Sequence, residues 1–285
     1  MRFFLLRYLG IIIIILLFAI QILYIYAFFI EPYILKIDKI KIASPSLYKA
    51  FKDLKIVHIS DIHFQGFNFI TIKLVNTIKR LQPDIIFISG DIIFSRKYIN
   101  QLWDFFSLIT PHLGTYIVFG ESDGCIKDLK NDIRWKKNKV YNLEGKKILL
   151  NLRGEKNSFV WLVGCYGTEK DFVKNLHFKD NFPKILLSHR PDIIKYAALK
   201  NFDLVLAGHT HGSQVGIPIL RKFFSYSVRS KYISGLYRVR NTLLFVNRGI
   251  FSEKHLRLFC PPQLAILEFT EEKTKMKVKT FPEDA

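Results

Sequence analysis

The densest chemical signature in the chain is Ala207-Gly-His-Thr-His-Gly212. His209 and His211 stand two residues apart between Gly208 and Gly212, directly after the short apolar run Leu204-Val-Leu-Ala207. Imidazole is the commonest metal ligand, and flanking glycines let the backbone approach an ion or a phosphate closely. A lone H-x-H is equally compatible with two packing histidines, so the rest of the chain has to decide.

Other ligand-type side chains recur in the same setting. Asp61 and His63 follow the apolar run Lys55–Ile59, and Asp91 follows Gly90 after Ile85–Ile88. Glu121, Ser122 and Asp123 follow Gly120 after Thr115–Phe119, and His189 with Arg190 follows Lys184–Leu187. Carboxylates and imidazoles without a cysteine suit manganese, iron, zinc or magnesium rather than a thiolate site. Asp61, His63, Asp91, Glu121, His189, His209 and His211 are too many for one catalytic ion. They are enough for two ions sharing a carboxylate, and Asp91, at the middle strand end, is the natural bridge. Two metals about 3.5–4 Å apart lower the pKa of a bridging water and neutralise charge on a phosphoryl group.

Such a site needs rigid elements beneath it. The short apolar runs read as buried strands, and their polar clusters fall at strand C-termini, where open α/β sheets bind ligands. Leu74, Val75, Ile78 and Leu81 recur at helical spacing, and Pro191–Leu199 reads as another helix. Leu35–Ile42 nearly alternates, slipping once at Asp38-Lys39, as a half-exposed strand would. Ile148–Leu152, Phe159–Val163, Thr242–Val246 and Gln263–Phe269 complete the strand set. The pattern predicts two packed sheets with helices outside.

D-x-H at 61–63, G-D at 90–91, S-H-R-P-D at 188–192 and G-H-T-H-G at 208–212, in that order, resemble the calcineurin-like metallophosphoesterase family. Gly235-Leu-Tyr-Arg238 and Asn247-Arg-Gly249 are similar to a membrane-anchored bacterial branch, and the resemblance runs from Lys55 to Phe269. It implies a four-layer α/β/β/α sandwich of two mixed sheets. It also implies one metal held by Asp61, His63, Asp91 and His211, and a second held by Asp91, Glu121, His189 and His209, with manganese foremost. His189 and Arg190 would set the phosphate, with Ser122 and Asp123 hydrogen-bonding around it. One motif departs: the family's G-N-H-D is Gly120-Glu-Ser-Asp123 here. Glutamate still binds a hard cation, but serine is no acid near neutral pH, and losing a general acid costs about 10²–10⁴ in rate. A phosphodiester or pyrophosphate substrate with a good leaving group suffers least. Within that branch the resemblance suggests UDP-2,3-diacylglucosamine of lipid A synthesis. The alternative is a catalytically attenuated, metal-bound membrane protein serving as sensor or scaffold.

Tyr8–Ile30 is an apolar run whose one strongly polar residue is Gln21. It is too long for the core of a cleaved signal peptide and long enough to span a bilayer as a single-pass helix. Glu31-Pro32 closes it. The expected division is an anchor over 1–30, a linker and first strand over 31–54, and the metallophosphoesterase domain over 55–285. Arg2 and Arg7 precede the span, while Lys36, Lys39, Lys41, Lys49 and Lys52 follow it, so the positive-inside count favours a cytoplasmic catalytic domain. Net charge is +19, of which the two arginines in residues 1–30 account for +2, leaving +17 on the remainder. That excess suits a phosphorylated substrate and an acidic membrane surface. No basic–aromatic motif points to nucleic acid. Cys125, Cys165 and Cys260 are too scattered for a disulfide framework or a zinc cluster and read as inert thiols.

Overall fold

The computed structural model describes residues 2–127, 132–154, 158–217, 219, 230–251, 255–271 and 278–280. Its strands are β1 (Lys36–Ala43), β2 (Ile56–Ile59), β3 (Ile85–Ser89), β4 (Thr115–Val118), β5 (Val140–Asn142), β6 (Lys146–Asn151) and β7 (Phe159–Cys165). They continue with β8 (Lys184–Ser188), β9 (Leu204–Ala207), β10 (Gly235–Val239), β11 (Thr242–Val246), β12 (Gln263–Thr270) and β13 (Val278–Thr280). One sheet has the order β1-β12-β2-β3-β4-β5 and the other β13-β10-β11-β9-β8-β7-β6. Both are mixed. β2 to β5 run parallel, while β12 is antiparallel to β2 and parallel to β1.

Side-chain alternation builds the layers. Along β3, Ile85 and Phe87 face the second sheet, meeting Leu162, Ile185, Leu187, Leu204, Leu206 and Phe245 in one dry core. Ile86 and Ile88 face the other way, onto helices α3 (Phe69–Leu81) and α4 (Ile99–Ile109), through Leu74, Ile78, Leu102 and Phe106. The outer face of the second sheet packs on the Ile194–Leu199 helix through Val205, Leu244, Ile194 and Ala197. The result is the expected α/β/β/α sandwich. Helix α3 starts where it does because Asn68 and Thr71 form a reciprocal capping box at its first turn.

Helices α1 (Arg2–Ile25) and α2 (Pro45–Phe51) flank β1. From α1 the chain continues helically through a π turn at Tyr26–Ile30 and a 3-10 turn at Glu31–Tyr33. Leu6–Tyr33 is 28 residues long with a most apolar stretch of mean hydropathy 2.8, long and apolar enough to cross a membrane. Glu31 and Pro32 are buried and lie in that 3-10 turn. β1 is an integral strand, paired with β12 along its whole length.

Candidate metal centre

The first sheet contributes the loops after β2, β3 and β4, and the second contributes those after β8 and β9. All five loops open at the C-terminal edge, where the two sheets meet. Asp61, His63, Asp91, His209 and His211 all take positive φ, between 40° and 70°. Non-glycine residues rarely adopt that conformation, and such strain concentrates at functional sites. Close backbone approach is also needed. A Cβ on Gly208 would lie 1.8 Å from Ser60 Oγ, and one on Gly120 would lie 2.2 Å from Asp91 Oδ1.

The side chains gather in two groups. Asp61, His63, Asp91 and His211 bring ligand atoms within 4.8 Å of one another, and so do Glu121, His189 and His209. Asp91 lies between them: its Oδ2 is 3.4 Å from His63 Nε2 and 3.5 Å from His189 Nε2. Glu121 Oε2 is 2.6 Å from His189 Nε2 and 3.4 Å from His209 Nδ1. Ring orientation is set from behind. His189 Nδ1 lies 2.9 Å from the Ser89 carbonyl, and His211 Nδ1 lies 3.0 Å from that of Phe251. A carbonyl only accepts, so both Nδ1 atoms carry a hydrogen and both Nε2 atoms are turned toward the site.

Cation binding explains what the protein atoms alone leave unsatisfied. Neither ring nitrogen of the buried His63 has a hydrogen-bond partner among the described residues. Buried polar atoms are normally paired, so an orphaned imidazole among carboxylates fits a ligand waiting for its ion. His209 Nδ1 and His189 Nε2 face each other at 3.2 Å, again two nitrogens converging on one point. The oxygen and nitrogen donors, with no thiolate, suit a pair of divalent ions.

Electrostatics agree with such a site. Burial disfavours the Asp61 carboxylate, yet His211, His189 and His63 together hold its pKa below the ordinary value. Burial lowers His211 to about 4, leaving it neutral and ready to ligate. Burial also works against His189, but the hydrogen bond to Glu121 and the charges of Asp91 and Asp61 prevail and raise it to about 9. Glu121 is held far down despite burial by the imidazoles of His189 and His209.

The sequence profile of the calcineurin-like phosphoesterases matches residues 54–213, more than half of the chain. The chain belongs to that family. The phosphodiesterase YaeI of Escherichia coli is 27% identical over 232 residues, 76% of this chain and 84% of that protein. The UDP-2,3-diacylglucosamine pyrophosphatase LpxG of Chlamydia muridarum is 26% identical over 309 residues, 86% of this chain and 92% of that protein. The metallophosphoesterase YkuE of Bacillus subtilis, of uncharacterized function, is 27% identical over 85% of this chain and 87% of that protein.

Within this metallophosphoesterase, two of the expected phosphate contacts are bonded to protein groups. Asp123 is fully buried; its Oδ1 accepts from Ile92 and Ile93 N–H at 2.8 and 3.0 Å, and its Oδ2 from Gly120 N–H at 2.8 Å. It braces the loops after β3 and β4. Ser122 turns to Asp91 instead, donating from its N–H at 2.9 Å and its hydroxyl at 3.1 Å to Oδ1. Arg190 is partly exposed beside the site, with its guanidinium on Glu121 through Nε at 2.9 Å and through Nη2.

Sequence reasoning passed over several residues. Arg257 is fully buried and donates to the carbonyls of His211, Arg248, Cys260, Gly249 and Phe251. Nothing around it in the sequence marks it. In Asn247-Arg-Gly249 the arginine does not face a ligand group but pairs with Asp38 at 2.8 Å, while Asn247 Nδ2 holds the His58 carbonyl at 3.0 Å. Phe223, Phe224, Tyr226 and Tyr232 could form an apolar rim by sequence; the first three lie outside the described residues, and Tyr232 is buried against Tyr237. The cysteines are free as expected, although Cys125 is only half-buried.

Proposed function

We propose that the protein is a membrane-anchored phosphoesterase with a dinuclear metal centre, hydrolysing a phosphodiester or pyrophosphate bond of a lipid-linked nucleotide. UDP-2,3-diacylglucosamine is the specific candidate. The observation that carries this reading is the single oxygen of Asp91 lying within 3.5 Å of one imidazole from each group. In this reading Asp61, His63, Asp91 and His211 hold one ion, and Asp91, Glu121, His189 and His209 hold the other. A pair of divalent ions there, manganese foremost with iron, zinc or magnesium as alternatives, would supply an activated water and neutralise phosphoryl charge.

The chain's own residues then orient and bind. Ser122 fixes the shared carboxylate through two hydrogen bonds, and Arg190 offers a guanidinium fork to phosphate oxygens beside Glu121. No side chain of the 120–123 loop donates a proton to a leaving group: Ser122 is engaged by Asp91 and Asp123 by backbone amides. An alkoxide leaving group needs that proton. A phosphate monoester, with a second pKa of about 6, leaves without it, which favours a pyrophosphate bond. The likeness to a protein named UDP-2,3-diacylglucosamine pyrophosphatase supports the same substrate class.

The apolar helix supports a single-pass anchor over residues 1–30, with 31–54 joining it to a catalytic domain over 55–285. The lysines after the helix favour the cytoplasmic face. A second reading, a catalytically attenuated sensor or scaffold, draws on the missing imidazole at 122 and the Arg190–Glu121 pair. To separate the two, the detergent-solubilised full chain would be assayed with Mn²⁺ on p-nitrophenyl phosphate, bis-p-nitrophenyl phosphate and UDP-2,3-diacylglucosamine. Fastest turnover of the last is expected. Two bound ions with no turnover of any substrate would leave the scaffold reading standing.

A further inference from the structure

The end of the apolar helix is built into the support of one ligand group. Glu31 is 2% exposed, and its two carboxylate oxygens accept the consecutive N–H groups of Phe259 and Cys260, each at 2.6 Å. A buried carboxylate is tolerated only where such donors meet it, so this contact fixes where the 257–260 segment sits. Four residues earlier, the Ala27 carbonyl accepts Arg257 N–H at 2.9 Å. Ala27 also packs with Val215 and Leu258, which form an isolated β-bridge with each other.

The same segment holds His211. The Cys260 thiol reaches the carbonyls of His211 and Gly212 at 3.6 and 3.5 Å. Arg257 Nη1 donates to the His211 carbonyl at 3.2 Å, and Nη2 to the Phe251 carbonyl at 3.1 Å. The Phe251 carbonyl in turn takes the His211 Nδ1 hydrogen. Both the backbone and the ring of His211 are therefore supported by groups whose own position ends on the helix.

We propose that Glu31 is a positioning residue for the metal centre: it seats the 257–260 segment so that Arg257 and Phe251 hold His211 in ligand geometry. The apolar helix is then a structural member of the site, and ion affinity at the His211 group depends on the helix end staying docked. The inference rests on His211 being a ligand, as proposed above.

The test uses the full chain in detergent micelles and isothermal titration with Mn²⁺, with the visible absorption of a Co²⁺-loaded sample as a second readout. Glu31→Gln keeps the shape but turns an NH₂ toward a backbone N–H. It is expected to weaken one of two ions by about 10- to 100-fold, the range for groups behind ligands, and to shift the Co²⁺ bands. Glu31→Asp keeps the charge at shorter reach and is expected to fall between; it carries the comparison if Glu31→Gln does not fold. Glu268→Gln, which breaks a surface pair with Lys39, should change neither ion. His211→Ala tests the assumption beneath. If it loses an ion while both Glu31 variants bind as wild type, the coupling is overturned, whatever their melting temperatures. If His211→Ala itself binds both ions normally, the ligand reading fails instead.

Discussion

Asp91→Asn probes the centre most directly, and its effect can be worked from the hydrogen bonds. Asp91 Oδ1 accepts two bonds from Ser122, while Oδ2 faces His63 Nε2 and His189 Nε2. An asparagine of the same shape has one oxygen and one NH₂, so it must choose. Keeping its oxygen on Ser122 preserves two bonds of about 1 kcal/mol each, an orientational preference of about thirtyfold. The NH₂ then occupies the Oδ2 position, between the two ligand groups. The substitution thus removes the shared negative charge and points N–H donors at where the cations belong. Groups that merely support ligands are worth about 10- to 100-fold in metal affinity, so more than about 100-fold is expected for each ion, with loss of hydrolysis. The assay is metal content by elemental analysis after dialysis against micromolar Mn²⁺, with melting of the chelated protein as the folding control. Two ions retained at wild-type affinity would refute the reasoning at its base.

Gly208→Ala puts a Cβ 1.8 Å from Ser60 Oγ and 2.5 Å from Asp61 Oδ2, so denaturant titration of the chelated protein should show a loss of about 1–3 kcal/mol, partly restored by Ser60→Gly. Metal binding should be pH-dependent: despite burial, Glu121, Asp91 and Asp61 raise His189 to about 9, so at pH 7 an ion must displace its proton, whereas His211, lowered to about 4 by burial, has none to lose. Apparent affinity at the His189 group should therefore rise with pH up to about 9, and calorimetry in buffers of different ionisation enthalpy should count about one released proton; no release would contradict the assignment. Turnover should fall steeply as the leaving-group pKa rises, and Ser122→His should speed the poorest leaving groups most, by up to about 10². A flat series in the wild type would mean another group already supplies the proton.

Much of the candidate site was legible because side chains that can ligate a metal are written in residue type and local position. Asp61, His63, Asp91, Glu121, His189, His209 and His211 each end an apolar run, and a buried parallel strand announces itself by such a run. Helix α4 was just as readable, since Leu102, Phe105, Phe106 and Ile109 recur at helical spacing, yet it was passed over. Strand β10 was noticed only as a motif. The insertion of β12 between β1 and β2 was not readable, because pairing partners are chosen across the whole chain.

Asp123 and Ser122 show where local reading stops. The sequence places both beside a ligand, and a hydroxyl or carboxylate there can equally face a phosphate. Only the packing of the loops after β3 and β4 brings the amides of Ile92, Ile93 and Gly120 around Asp123 and aims Ser122 at Asp91. Glu31 is the same case at longer range: by sequence it only closes the apolar run, yet its partners lie 228 and 229 residues away. By itself the sequence determined which side chains can bind ions and which runs become strands, because both follow from local chemistry and periodicity. Tertiary structure alone decided which ring nitrogen of His189 and of His211 faces the cluster, and that Asp123 braces backbone amides. A polar atom's role depends on its hydrogen-bond partners, and those partners are brought from distant parts of the chain by the packing of the two sheets.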